Sequence, residues 1–128
     1  MVIELKLYSY QILHWEHKEL DSVPSLLWQH PQYDGLDILY LDNNWISVLP
    51  HEMACLKSLS ILSMCRNHLA DLPDWIGAFS KMHTFVISSN HIRELPTSVG
   101  NLSKLKTFNV FANKLKKVCG CLPYFIAS

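Results

Sequence analysis

The apolar residues of Leu59–Lys81, LSILSMCRNHLADLPDWIGAFSK, recur at the same places in the 23 residues that follow, MHTFVISSNHIRELPTSVGNLSK. Leu59, Leu62, Met64, Leu69, Leu72, Ile76 and Phe79 answer to Met82, Phe85, Ile87, Ile92, Leu95, Val99 and Leu102. Asn67, Pro73 and Gly77 answer to Asn90, Pro96 and Gly100. The alternation Leu62-x-Met64 predicts a short strand, because neighbouring side chains point to opposite faces. Asn where the chain leaves that strand predicts a turn, and Pro fixes φ where a return segment starts.

The same spacing extends in both directions. Leu36–Ser58 carries Leu39, Leu41, Asn44, Ile46, Leu49, Pro50, Met53 and Leu56 in register. From Leu105 the columns hold Phe108, Val110, Asn113, Leu115 and Val118, with Cys119 in the Pro column and Leu122 and Phe125 where Ile76 and Phe79 fall. That repeat closes at Ala127. Upstream, residues 13–27 match the template with Lys18 in the Asn column. From Leu20 to its counterpart Ile46 is 26 residues, so three extra residues must loop out, and His30–Gly35, punctuated by Pro and Gly, is the expected place. Val2–Leu7 alternates apolar and polar residues and predicts an N-terminal strand.

The form LxxLxLxxNxLxxLP at this period is the signature of a leucine-rich repeat. With the short returns Pro73-Asp-Trp-Ile-Gly77 and Pro96-Thr-Ser-Val-Gly100, residues 13–127 resemble the Ras-suppressor and Scribble-like subgroup of intracellular leucine-rich repeat proteins. The resemblance implies an α/β fold, a right-handed solenoid with a parallel concave sheet and short helical or 3-10 convex returns. Residues 1–12 would form an N-terminal strand or cap, and 13–127 about four and a half repeats. It also implies a scaffold that binds a protein partner on its concave face, with a small GTPase or another signalling protein as the kind of partner.

Strands of such a solenoid stack at about 4.8 Å, with the Leu columns inward and the positions between them outward. The expected concave surface holds Ile12, His14, Glu16 and His17 in the first repeat and Ile38, Tyr40, Asp42 and Asn43 in the second. Ile61, Ser63, Cys65 and Arg66 follow, then Thr84, Val86, Ser88 and Ser89, then Thr107, Asn109, Phe111 and Ala112. Tyr and Arg are enriched among interface hot spots, which singles out Tyr40 and Arg66, with Phe111 as a third large contact. Trp45, His68, His91 and Lys114 share the column after Asn and should stack along one rim, with Trp45 as a partner anchor. Asn44, Asn67, Asn90 and Asn113 should form a ladder serving backbone groups of the turns.

Candidate chemistry changes little. His68 and His91 fall about one strand spacing apart, but zinc takes three or four protein ligands, so no metal and no cofactor is expected. Cys119-Gly-Cys121 lacks the CxxC spacing, and no Ser or Cys nucleophile is matched by column with a His and an orienting acid. No phosphate-binding Gly-rich loop or HExxH occurs, so an enzyme is not expected.

Charge adds an asymmetry. Eleven basic and eleven acidic side chains cancel over 128 residues, against a nucleic-acid role driven by bulk charge. Yet residues 1–42 carry seven acids against Lys6 and Lys18, while five lysines and no acid lie from Lys104 onward. No secretory leader or membrane span is read, and four cysteines without a disulfide framework suggest reduced thiols in the cytoplasm. The sequon Asn101-Leu-Ser103 keeps open an extracellular recognition fragment, and a substrate-recognition part of a multidomain enzyme is a third reading. The final repeat lacks a polar cap, so self-association through it is expected.

Overall fold

A computed structural model describes residues 11–116. The strand expected at Val2–Leu7, and with it Val118, Cys119, Cys121, Leu122, Phe125 and the close at Ala127, lie outside the described residues; the final repeat, through which self-association is expected, is described only as far as Lys116. Five three-residue strands run parallel in chain order: β1 (Ile12–His14), β2 (Ile38–Tyr40), β3 (Ile61–Ser63), β4 (Thr84–Val86) and β5 (Thr107–Asn109). Their register joins Leu39 to Leu62, Leu62 to Phe85 and Phe85 to Phe108. Leu13, Leu39, Leu62, Phe85 and Phe108 therefore make one inward column, and all are buried. Leu41, Met64, Ile87 and Val110 form the next. Phe85 and Phe108 stack with ring centroids 5.6 Å apart and planes at 13°. The fold is a right-handed leucine-rich repeat solenoid.

Each return starts from an extended proline, Pro50, Pro73 or Pro96, with φ between −68° and −73°. A five-residue 3-10 segment follows: His51–Cys55, Asp74–Ala78 or Thr97–Asn101. Met53, Ile76 and Val99 point one apolar side chain from each return into the core. A 3-10 turn suits this task because it rises faster than an α-helix and is stable only in short pieces.

The first return differs. Its three extra residues are accommodated between buried Leu27 and buried Leu36, where helix α1 (Leu26–Gln29) is followed by a 3-10 turn at Pro31–Tyr33. Tyr33 stands 23 residues before Leu56 and is buried as that leucine is, with Trp15 edge-on to its ring at 6.2 Å. The insertion is thus a second helical turn inside the return, with its own side chain in the core.

Candidate functional site

The turns that present the concave face are built on the asparagine ladder. Asn67 Nδ2 donates to Leu41 O at 2.9 Å in the preceding repeat and to Met64 O at 3.1 Å in its own, while its Oδ1 accepts from Ile46 N at 3.1 Å. Asn90 and Asn113 repeat this pattern one and two turns on. Asn44 Oδ1 takes two donors, Lys18 N and Leu20 N, and its Nδ2 reaches Trp15 O at 2.8 Å. Each amide serves the repeat before it; Lys18 holds the column in the first described repeat, where its own backbone N donates to Asn44 Oδ1.

The residue before each ladder asparagine has left-handed backbone: Asn43, Arg66, Ser89 and Ala112 have φ of 55° to 58°. His17 holds the same place in the first repeat, and Glu19 also has φ 55°. Asn tolerates this region better than most residues; Arg66, Ser89 and Ala112 adopt it because the ladder bonds hold the turn.

On the concave sheet, Tyr40 stacks on His14 across the β1–β2 pair, with centroids 4.9 Å apart and planes at 15°. His14 Nδ1 lies 3.2 Å from Glu16 Oε1. Ile61, Val86, Ser88 and Asn109 are half-buried, Arg66 is exposed, and Phe111 is 61% exposed. Asn109 Oδ1 accepts from Phe111 N at 3.0 Å and steadies that ring's backbone. Ile12, Ile38 and Ile61 are aligned on neighbouring strands and add an apolar ledge.

Ser63 departs from expectation. It faces the concave side but is only 6% exposed, because Asp42 folds over it and accepts from Ser63 Oγ at 2.7 Å and from Cys65 N at 2.8 Å. A carboxylate one repeat away therefore takes up the hydroxyl that was expected to be open. The same arrangement pushes the Cys65 thiol above its ordinary pKa: burial disfavours the thiolate most, the Asp42 charge and hydrogen bond add to it, and Arg66 and Ser88 oppose.

Along the rim, Trp45 is 53% exposed, and the exposed imidazoles of His68 and His91 stack at 5.8 Å with planes at 11°. Among the described residues no group of three or more His, Cys, Asp or Glu is placed to hold a metal ion. None of the described helices is long and apolar enough to cross a membrane. Column reasoning from single positions missed Val48, 68% exposed on the flank, and Arg93 and Lys116, which join the rim two residues beyond His91 and Lys114. The periodic spacing after Asn carried that signal.

Solved leucine-rich repeat structures share this architecture. A leucine-rich repeat protein of Leptospira interrogans superposes with a TM-score of 0.67 at 24% identity over 86% of this chain and 33% of its own. A chain of the BIR3–SERK2 complex of Arabidopsis thaliana gives 0.71 at 21% identity, covering 82% of this chain and 57% of that one. Internalin C2 of Listeria monocytogenes gives 0.68 at 24% identity, over 83% and 44%. This chain thus spans between a third and little more than half the length of these proteins, and the likeness is one of fold. No protein-family model and no curated protein sequence matches the chain.

Proposed function

We propose that this chain is a protein–protein interaction module of a signalling scaffold, not an enzyme, that receives a protein partner on its concave face. The observation that carries the reading is the set of large side chains released from packing on the sheet and at the ends of its strands: Tyr40 stacked on His14 on the sheet, and Arg66 and Phe111, the latter 61% exposed, where the chain leaves β3 and β5. Tyr and Arg in such positions supply much of the binding energy at interfaces. That the BIR3–SERK2 neighbour is a complex supports the general mode. The resemblance to Ras-suppressor and Scribble-like repeats points to a small GTPase or another signalling protein as partner and to the cytoplasm as compartment, and the free thiols of Cys55 and Cys65 support a reducing setting.

Capture of partners from cytosol by the chain, compared with Tyr40→Ala combined with Arg66→Ala, tests the assignment. The double variant should lose its partner with an unchanged circular dichroism spectrum. If Glu52→Ala and Asp74→Ala on the convex returns abolish capture and the concave pair does not, the assignment fails.

One observation favours a second reading, an extracellular recognition fragment. Asn101 of the sequon is exposed on a convex return, and the BIR2 ectodomain of Arabidopsis thaliana is another structural neighbour, at 26% identity and a TM-score of 0.66. Glycan on Asn101 in secreted material would favour it, whereas readily alkylated Cys55 in protein from cells favours the scaffold.

A further inference from the structure

The loops that leave strands β2 to β5 stack into a second surface beside the concave sheet. Residues 43–47, 66–70, 89–93 and 112–116 contain no carboxylate, in a chain whose acids and bases balance at eleven each. They hold four permanent cations, Arg66, Arg93, Lys114 and Lys116, all exposed, together with the stacked pair His68 and His91. Among the described residues the ion pairs are His14–Glu16 and His51–Glu52, so none of the four cations is neutralised there. Exposed Trp45 begins the row.

The platform is rigid, because each loop is tied to the one before. His68 N donates to Ile46 O at 2.9 Å, His91 N to Leu69 O at 2.8 Å, and Lys114 N to Ile92 O at 2.9 Å. At about 4.8 Å per repeat, the three intervals from Trp45 to Lys114 span roughly 14 Å, the reach of roughly four residues of an extended chain.

We propose that this rim is a docking strip for a short acidic segment of a partner protein, an extended run of Asp and Glu with an apolar residue set against Trp45. A strip of one sign attracts the opposite charge at a distance, and guanidinium and ammonium groups then bind carboxylates through charge-assisted hydrogen bonds. The margins limit the occupant. Glu16, Glu19 and Asp21 stand at the N-terminal end of the row, and Asp71 and Glu94 follow on the loops just beyond it. These acids repel the continuous phosphate backbone of a nucleic acid and leave room for a short peptide. The strip rests on the reading of the chain as a protein-binding module; it borders the concave face at Arg66, which both surfaces share, and Arg93, Lys114 and Lys116 belong to the strip alone.

The test is fluorescence anisotropy with a short labelled peptide of Asp and Glu around one Leu, compared with the same peptide carrying Asn and Gln in place of the acids. The acidic peptide should bind, the amide peptide should not, and added salt should weaken binding. Arg93→Glu with Lys114→Glu should abolish binding, and Arg93→Gln with Lys114→Gln should weaken it, both with the circular dichroism spectrum of the parent. Tyr40→Ala should leave peptide binding unchanged while losing partner capture, so the strip and the concave face fail or stand separately. Equal binding of both peptides, indifference to the charge-reversing pair, or tighter binding of a single-stranded oligonucleotide or anionic vesicles would overturn the proposal.

Discussion

Asn67 shows how much one side chain can carry in this chain. Its amide satisfies backbone groups of two repeats, and the bonds to Leu41 O, Met64 O and Ile46 N are buried where water does not compete. Replacing it with Ala strands a buried N–H and carbonyls, so Asn67→Ala or Asn90→Ala should cost about 1–3 kcal/mol each. The check is a shift of the urea midpoint, and no shift in either variant would remove the ladder from the account of stability. The four asparagines are plain in the sequence; the left-handed residues before them are not. Asn43, Arg66, Ser89 and Ala112 have no common side-chain chemistry, and their φ is set by the turn itself, whose backbone is bonded to the next repeat and to the ladder amides.

A second residue-scale expectation concerns Cys65, whose thiol is held above its ordinary pKa by burial and then by Asp42. In a variant whose other three cysteines are serine, Asp42→Asn removes the negative charge. The thiolate should then form at lower pH, and the pH profile of alkylation should move to the acid side of the parent. Burial remains, so the profile should stop short of that of a solvated thiol. An unmoved profile would show that Asp42 does not govern the thiol. Column arithmetic placed Cys65 and Ser63 on the concave face, but it could not tell that Asp42 would reach across one repeat to both.

Among the elements, the 3-10 returns Asp74–Ala78 and Thr97–Asn101 meet closely at Gly77. A Cβ on Gly77 would stand 2.6 Å from Ser98 O and 3.1 Å from Asn101 Cβ in the next return. Backbone cannot yield as a flexible side chain does, so Gly77→Ala should destabilise by about 1–3 kcal/mol. Gly35→Ala, which meets nothing within 4 Å, is the control and should leave the thermal midpoint nearly unchanged. Equal behaviour of the two would show that the returns can move apart. Gly77 and Gly100 were visible as a column in the repeat, but the reason for Gly77 lies in its contact with the following return. The first return is similar: three extra residues could be counted, and Pro and Gly marked their place. That they build a helical turn with Tyr33 in a leucine's position depends on a core that accepts an aromatic ring beside Trp15.

For the whole molecule, stability is a sum over neighbouring repeats, since no repeat can bury its apolar column alone. Phe85 packs between Leu62 and Phe108 and is fully buried, so Phe85→Ala should cost about 3–5 kcal/mol and weaken both flanking interfaces. Leu13, on the first described strand, pairs with β2 alone among the described strands, and Leu13→Ala should cost about 2–3 kcal/mol, at the low end for a buried leucine. Denaturant titrations of the two variants check the order, and a larger loss at Leu13 would contradict a stack stabilised from both sides. The sequence by itself determined the period, the inward columns, the ladder and the strand order, because each is a local pattern that repeats at a constant interval. Only the tertiary structure decided that Ser63 is covered, that Tyr33 enters the core and that Gly77 cannot carry a side chain. It also decided that the cations of the rim form no ion pair among the described residues. Each of these depends on which atoms of one repeat meet those of the next, and a pattern within a single repeat does not contain that distance.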